Sequence, residues 1–286
     1  MNQERKVCVI MPVYNGEDTI ELALKSLLAQ TYSNWECVIV NDGSTDGTKS
    51  ILDSLSDKRF NVIHLEKNVG RGAARQVCLD NAEGNYLAYL DADDFYHSQK
   101  LSKQVEFLEN NKEISLVSCG VASYYNDFEL ISKKCPSKIQ YFNSYNKGEL
   151  FTAASAMIYL DEAKRIKYEQ ISVSEDMRYF SKYLEGKKYC KLPDILYYYN
   201  EAGTNYKKIM SFQWEKVKNA ANDLKKTRGL KLTGLLKALS KLMAKSVIVP
   251  IIGQKRFIAN RGKKVLDTDI LEFKQEIANV MRNKLL

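Results

Sequence analysis

Apolar segments of strand length alternate with helix-forming segments through the first part of the chain. Val7–Val13 (VCVIMPV) is a continuous apolar run, as expected of a strand buried on both faces of a parallel sheet. The other predicted strands are Trp35–Val40, Asn61–Leu65, Tyr86–Leu90 and Lys191–Asn200, and the predicted helices are Asp18–Gln30, Gly47–Ser56, Gly72–Asn81 and Val173–Gly186. This alternation predicts an α/β fold, with a Rossmann-like, mostly parallel mixed sheet flanked by helices.

Positive charge is concentrated at the C-terminal end. Residues 204–286 contain 19 Lys and Arg against 6 Asp and Glu, whereas residues 1–203 are acidic. The pattern after residue 204 is helical, and Leu232–Val247 has seven apolar residues on one helical face with Lys237, Lys241 and Lys245 opposite. We therefore expect two domains, an α/β domain at residues 1–203 and a basic all-α extension at residues 204–286.

Composition excludes several classes of protein. The six cysteines include no C-x-x-C pair and lie mostly in apolar stretches, which indicates reduced thiols and a cytoplasmic protein. The first residues lack the apolar stretch of a signal peptide, and no run of 18 apolar residues predicts a membrane span. Two histidines leave little room for a histidine-rich zinc site or a serine-hydrolase triad.

Three polar clusters follow predicted strands: Tyr14-Asn15, Asn41–Ser44 and Asp91–Asp94. Ligands of parallel α/β sheets bind outside the carboxyl ends of strands. The three carboxylates of Asp91–Asp94 repel one another, and their hard oxygen atoms suit Mg²⁺ or Mn²⁺. The alternative is a solvated acidic turn before a helix that begins near Ser98.

Two further segments each have two interpretations. Gly70–Arg75 lacks the third glycine of a dinucleotide fingerprint and follows the third strand, so we exclude an NAD site. It is either a plain helix N-terminus or one whose N–H groups and arginines face an anionic or carbonyl-bearing ligand. Ser174-Glu175-Asp176 either caps a helix or supplies a carboxylate that takes a proton from a hydroxyl group.

Five segments occur in a characteristic order: VIMPVYNGEDTIELALKSLLAQTY, WECVIVNDGSTDGT, NVGRGAARQ, YLDADD and SEDMRY. Together they resemble the family 2 glycosyltransferases of the GT-A fold, over residues 5–200. The resemblance implies an inverting transfer of one sugar from a nucleotide-sugar, expected to be a UDP-sugar, to a hydroxyl of a glycan acceptor. The Q-x-x-R-W motif of processive synthases is missing, so we expect a non-processive enzyme.

The resemblance also implies roles for individual residues. Asp42 would bind the imide edge of the base, and Arg71 would lie beside the base. Asp91 and Asp93 form the D-x-D pair, with Asp93 as direct metal ligand and Asp91 nearer the ribose or a metal-bound water. Asp176 would be the general base. The full set of nucleotide-binding and substrate-binding residues is Pro12, Val13, Tyr14, Asn15, Asp42, Arg71, Asp91, Ala92 and Glu175.

The chain departs from the family pattern at two points. Asn41 stands where many relatives have a second aspartate. The segment Tyr197–Glu201 lacks the His or Arg that many relatives place near the diphosphate, and Lys207 or Lys208 could substitute for it.

The basic extension has two interpretations. Its leucine-rich face packs on the catalytic domain, or it attaches the protein to an anionic membrane surface at the inner face of the cell membrane, where relatives extend polyprenyl-linked glycans. We exclude nucleic acid as a partner, because aromatic residues are sparse and no DNA-binding motif occurs. A transferase to a polyprenyl phosphate and a non-catalytic sugar-nucleotide-binding or membrane-binding module remain as alternatives.

Overall fold

The computed structural model describes residues 5–125, 127–143, 151–169, 175–226 and 232–285. The strands are β1 Val7–Val13, β2 Trp35–Asn41, β3 Phe60–His64, β4 Tyr86–Tyr89, β5 Phe95–Tyr96, β6 Ile114–Tyr124, β7 Leu130–Lys134, β8 Gln140–Phe142, β9 Met157–Tyr159 and β10 Lys188–Asn200. The helices are α1 Ile20–Leu28, α2 Thr48–Asp53, α3 Arg71–Asp80, α4 Lys100–Asn110, α5 Leu160–Ala163, α6 Glu175–Tyr183, α7 Tyr206–Lys226, α8 Leu232–Ile252, α9 Gln254–Ala259 and α10 Asp267–Met281.

The strands form one mixed sheet in the order β3-β2-β1-β4-β9-β6-β10-β5, with β7 beside β6 and β8 beside β10. β3, β2, β1 and β4 are parallel, and β9 and β5 run antiparallel to their neighbours. The predicted α/β fold with a mostly parallel mixed sheet flanked by helices is confirmed. Val7–Val13 is a strand with the predicted bounds, and nearly all of its side chains are buried.

The strand order reverses at β1. The chain passes from β1 to β2 and β3 on one side, and then returns to place β4 on the other side. At such a switch point the loops after neighbouring strands diverge and leave a crevice at the carboxyl ends of the strands. The loops after β1 and β4, which hold Tyr14 and Asp91–Asp94, therefore lie on the two sides of this crevice.

The residues after 204 pack in two ways. α7 and α8 pack against each other as a helical pair. α10 packs on α1 and places Phe273 among Phe95, Tyr124 and Tyr198, with ring centroids 5.1–5.9 Å apart. None of the described helices has the length and hydropathy that a membrane crossing requires.

Candidate active site

A cavity of about 700 Å³ opens at the carboxyl ends of β1, β2 and β4. Its lining includes nine of the residues selected from the sequence: Pro12, Val13, Tyr14, Asn15, Asp42, Arg71, Asp91, Ala92 and Asp93. Glu175 and Asp176 lie outside the lining, at the start of α6, and Ser174 of the same motif falls outside the described residues. The fold thus brings loops that are distant in sequence to one crevice.

The loop after β1 is held by hydrogen bonds to the loop after β2. Asn15 adopts a left-handed conformation (φ 51°), which asparagine tolerates better than most residues. Its backbone N–H donates to Ser44 Oγ (2.9 Å), and its Oδ1 accepts from the N–H of Thr45 (2.9 Å). These bonds leave the Tyr14 side chain half exposed at the cavity wall, where a flat ligand could stack on it.

Asp42 is buried at the end of β2, and it holds the loop that leads into α3. Its Oδ1 accepts from the N–H of Val69 (2.7 Å), and its Oδ2 accepts from the N–H of Gly70 (3.1 Å). A carboxylate has about four acceptor positions, so these two bonds leave room for a ligand donor. Gly70 has φ 91°, a backbone conformation that favours glycine, and α3 begins with Arg71 at the cavity.

The acidic turn after β4 divides into two environments. Asp91 and Asp93 line the cavity, whereas Asp94 is buried beneath it and accepts from the Tyr197 hydroxyl (2.6 Å) and the N–H of Asn200 (2.7 Å). Burial and the two neighbouring aspartates raise the pKa of Asp94 well above its ordinary value. Asp94 thus joins the turn to the end of β10, and it is not a cavity ligand.

Asp93 lines the cavity and is exposed. Protein atoms around it partly remove its hydration, which raises its pKa, and the charge of Asp91 adds to that rise. The cations Lys208 and Arg71 act in the opposite direction. The surroundings of Asp93 therefore disfavour its charged form on balance, and a bound cation would favour that form.

Arg75 appears in the sequence only as one of the arginines that could face an anionic ligand, and its two carboxylate partners were not predicted. Its buried guanidinium donates from Nη2 to Asp91 Oδ1 (2.9 Å) and from Nη1 to Glu175 Oε1 (2.8 Å). Burial alone would lower its pKa, but the carboxylates of Asp91, Asp176 and Glu175 outweigh burial and raise it. The available signal was the spacing from Arg71, since residues four apart on a helix share one face.

Glu175 and Asp176 occupy the first turn of α6, where the helix dipole favours negative charge. Glu175 is buried, and burial raises its pKa while Arg75 opposes the rise. Asp176 is more exposed, and its Oδ1 accepts from the N–H of Met177 (2.7 Å). Arg75 therefore links the D-x-D turn to the helix end that presents Asp176.

The C-terminal helices and the segments next to them form another wall of the cavity, through Thr204, Lys208, Ile209, Phe212, Gln213, Lys216, Lys245, Phe257 and Arg261. The sequence pattern predicts Lys245 on the lysine-bearing face opposite the apolar residues of α8, but in the structure Lys245 lines the cavity and is half-buried. Lys245 lies at the edge of the lysine-bearing face, and the packing of α8 on α7 orients that edge toward the cavity. Of the two lysines expected near a diphosphate, Lys208 lines the cavity and Lys207 does not.

The donor set suits a cation that is only partly coordinated by protein. Among the described residues, no group of three or more His, Cys, Asp and Glu side chains is close enough to form a metal site. Mg²⁺ typically takes one or two carboxylates and completes its shell with water and substrate phosphates. Asp91 and Asp93 fit that arrangement, because they are two carboxylates that line the same cavity.

Known proteins with related sequences identify the family. The model of the glycosyl transferase family 2 matches residues 8–164. The Bacillus subtilis protein TuaG, named for teichuronic acid biosynthesis, is 33% identical over 180 residues, which is 62% of this chain and 71% of TuaG. The Escherichia coli protein WfgD, named a UDP-Glc:alpha-D-GlcNAc-diphosphoundecaprenol beta-1,3-glucosyltransferase, is 33% identical over 142 residues, which is 47% of this chain and 53% of WfgD.

Similarity of structure extends further along the chain than similarity of sequence. The mannosyltransferase PcManGT of Pyrobaculum calidifontis, solved in complex with GDP-Man and Mn²⁺, has a TM-score of 0.60 at 17% identity, and the match covers 98% of this chain and 86% of that one. At that identity the likeness speaks for the fold alone, and the fold is GT-A. With the family model matching more than half of the chain around the cavity, this protein belongs to the family 2 glycosyltransferases.

Proposed function

We propose that this chain transfers one sugar from a UDP-sugar to a hydroxyl of a lipid-linked glycan, with inversion at the anomeric carbon. The observation that carries the proposal is the meeting of the loops after β1 and β2, the D-x-D turn and the linked end of α6 around one cavity. The choice of UDP and of a lipid-linked acceptor is supported by the name of WfgD, which specifies both.

The donor would bind against the sheet wall. Pro12, Val13 and Tyr14 would line the base, Asp42 would accept a hydrogen bond from its imide edge, and Arg71 would lie beside it. Asn15 and Ala92 complete the predicted donor contacts, whereas Glu175, predicted from the sequence as a substrate contact, is buried and paired with Arg75. Asp93 would hold Mn²⁺ or Mg²⁺, because Asp91 is already paired with Arg75. A bound divalent ion neutralises charge on the leaving diphosphate, which is worth several kcal/mol.

Asp176 is the proposed general base. Glu175 is buried and occupied by Arg75, whereas Asp176 is partly exposed at the helix end. In a single displacement, the acceptor oxygen forms the new bond to the anomeric carbon as the bond to the nucleotide diphosphate breaks, and Asp176 takes the hydroxyl proton. Such a base typically contributes ~10²–10⁴-fold to the rate.

Donor binding is tested first by thermal unfolding with UDP, GDP and dTDP, each with and without Mn²⁺. A ligand at ~100 times its Kd adds ~2.7 kcal/mol and raises the Tm by several degrees. We expect a Mn²⁺-dependent shift with UDP alone. A shift with GDP or dTDP instead would show that the donor carries that nucleotide and not UDP. No shift with any nucleotide would contradict the transferase proposal.

Two substitutions separate the metal from the base. Asp93→Asn should lose Mn²⁺-dependent UDP binding and transfer together. Asp176→Asn should retain UDP binding and lose transfer by ~10²–10⁴-fold. The control is Asp161→Asn on the exposed first turn of α5, which should change neither property.

The same variants address the alternatives. A phosphate acceptor needs little help from a base, so full transfer by Asp176→Asn would favour a polyprenyl phosphate acceptor. Nucleotide binding without turnover on any lipid-linked acceptor would favour a non-catalytic module.

We further propose that α8 attaches the protein to an anionic membrane surface, such as the inner face of the cell membrane. The apolar side chains on its outer face are exposed, and they include Leu232, Leu236, Met243, Val247 and Ile251. Lys237 and Lys241 are also exposed, on one side of these residues, and each Lys near anionic headgroups adds ~1 kcal/mol. The combination of an exposed apolar face and neighbouring lysines favours an anionic bilayer over a neutral protein groove.

Vesicle sedimentation tests this attachment. Wild-type protein should bind vesicles that contain phosphatidylglycerol and should bind pure phosphatidylcholine vesicles weakly. Met243→Ser combined with Val247→Ser should reduce binding to the anionic vesicles. The control, Leu271→Ser on the exposed side of α10, should bind as wild type, and equal binding by both variants would contradict the proposal.

A further inference from the structure

Three cations from three separate segments converge on the helical wall of the cavity. Lys216 comes from α7, Lys245 from α8 and Arg261 from the segment after α9. The ammonium of Lys216 lies 4.3 Å from the centre of the Phe212 ring, and that of Lys245 lies 5.9 Å from the centre of the Phe257 ring. These three side chains are called the helical cation group below.

The charge of this group is poorly offset. Arg261 lies 3.6 Å from Glu201 Oε1, but within the described part of the chain neither lysine forms an ion pair with a carboxylate. Burial lowers the pKa of Lys245 to about 8, and the charges of Lys216, Arg261 and Lys241 contribute. Burial also lowers the pKa of Lys216, and Lys241 and Arg261 add to that effect. Like charges held together in a concave site are costly unless an anion joins them.

The helical cation group is distinct from the cations that face the D-x-D turn. Lys208 and Arg71 are the cations that act on Asp93, on the proposed donor side. The carboxylate that acts on Lys216 is Asp176, the proposed base. Because the donor is proposed to lie against the sheet wall, we place the acceptor on the helical side of the cavity, beside this group.

The position of α8 points to the same ligand. Its exposed apolar face lies on the outside of the molecule, and Lys245 lies toward the cavity on the other side of the same helix. A helix with its side chains is about 10–12 Å across. If the lipid tail of an acceptor enters a membrane beneath α8, its phosphates would therefore lie about one helix diameter above the membrane surface, at the height of Lys245.

We propose that Lys216, Lys245 and Arg261 bind the phosphate groups that join the acceptor glycan to its lipid carrier. This inference rests on the proposed function and specifies its acceptor as a lipid phosphate or diphosphate conjugate. Lys supplies a compact charge and Arg a planar fork of donors, a combination that suits a diphosphate. Reaction chemistry is unchanged, because the site holds the acceptor away from the bond that forms.

The test uses the full chain saturated with UDP and Mn²⁺, and it measures the Kd of farnesyl diphosphate against that of farnesol. Farnesyl diphosphate should bind at least about tenfold more tightly than farnesol, since only it offers charged acceptors. Lys245→Gln and Lys216→Gln should each raise its Kd about tenfold and leave the Kd of UDP within twofold. The control is Lys274→Gln, an exposed lysine of α10, which should change neither Kd.

Several results would overturn the inference. Competition between farnesyl diphosphate and UDP would assign the helical cation group to the donor diphosphate. The same assignment would follow if the variants lost affinity for UDP as strongly as for farnesyl diphosphate. Wild-type affinity for farnesyl diphosphate in both variants would remove the group from acceptor binding. Normal UDP binding with no farnesyl diphosphate binding would refute this inference alone, whereas absence of UDP binding in the wild type would refute the proposed function as well.

Discussion

α8 and α10 are amphipathic helices of the same C-terminal region, but they use their apolar faces in opposite ways. α10 buries Phe273 and Val280 in the core of the catalytic domain. α8 buries Val249 and leaves Met243 and Ile251 69% and 75% exposed. The apolar pattern of a helix indicates that one face is to be buried, and the surrounding fold determines which surface is available to bury it.

The partner surfaces explain the difference. α10 lies on α1 and on the aromatic side chains of β5, β6 and β10, and Glu276 accepts hydrogen bonds from the N–H and the hydroxyl of Ser98 (2.9 and 3.2 Å). α8 has α7 as its main neighbour, and α7 itself exposes Phe212 and Trp214. α10 thus belongs to the core, while α8 has one face on the cavity and one on solvent.

The largest effect is expected from the buried anchor of α10. Phe273→Ala should lower the free energy of unfolding by about 3–5 kcal/mol, because it removes a buried ring from an aromatic cluster. Urea unfolding measures this change. The control, Leu271→Ala, removes an exposed side chain of the same helix and should cost less than about 0.5 kcal/mol. Equal costs for the two variants would show that α10 is not docked.

A smaller effect is expected from the polar anchor of α10. Glu276→Gln weakens the charge-assisted hydrogen bonds to Ser98 and should cost about 1.5–3 kcal/mol. Glu272→Gln changes a mostly exposed carboxylate on the same helix and should leave the Tm nearly unchanged. A larger loss of stability for Glu272→Gln than for Glu276→Gln would contradict the packing described.

Binding of farnesyl diphosphate at the cavity-facing side of α8 should depend on pH. Lys245 faces the cations Lys216, Lys241 and Arg261, and burial holds its pKa at about 8. A lysine with a lowered pKa is charged below that pH and neutral above it, so affinity for farnesyl diphosphate should fall about tenfold from pH 7 to pH 9. Lys245→Arg keeps its charge over this range and should flatten the profile. A profile unchanged by Lys245→Arg would exclude Lys245 as the titrating group.

The smallest effect on stability is expected from the outer face of α8. Met243→Ser and Val247→Ser should each change the free energy of unfolding by less than about 0.5 kcal/mol, because both side chains are already exposed to solvent. Chemical denaturation without lipid measures this change. A cost comparable to that of Phe273→Ala would mean that the face is covered within the protein and is not available to a membrane.

Much of the sheet wall could be predicted from sequence. Its strands are continuous apolar runs, which are local signals, and Val7–Val13 was predicted with its observed bounds. The residues that follow strands in a parallel sheet lie at one edge of the sheet. The sequence therefore predicts that the loops with Tyr14, Asp42 and Asp93 lie together, as they do around the cavity.

The residues that escaped prediction act through distant partners. Arg75 is 100 positions from Glu175, and nothing near Arg75 in the sequence indicates that they pair. Asp94 looks like a third cavity carboxylate, but Tyr197, 103 positions away, and the N–H of Asn200 bind it beneath the cavity. In both cases the deciding contact is long-range and specific to the packed core.

The sequence by itself determined the α/β alternation, the acidic and basic regions, and the side chains that meet at the ends of β1, β2 and β4, because strand and helix patterns are local and parallel strands share one edge. Tertiary structure decided which carboxylates are paired by Arg75, which face of α8 meets solvent, and that Lys245 enters the cavity. These outcomes depend on helix packing and on charge compensation between segments far apart in the chain, which only the folded arrangement specifies.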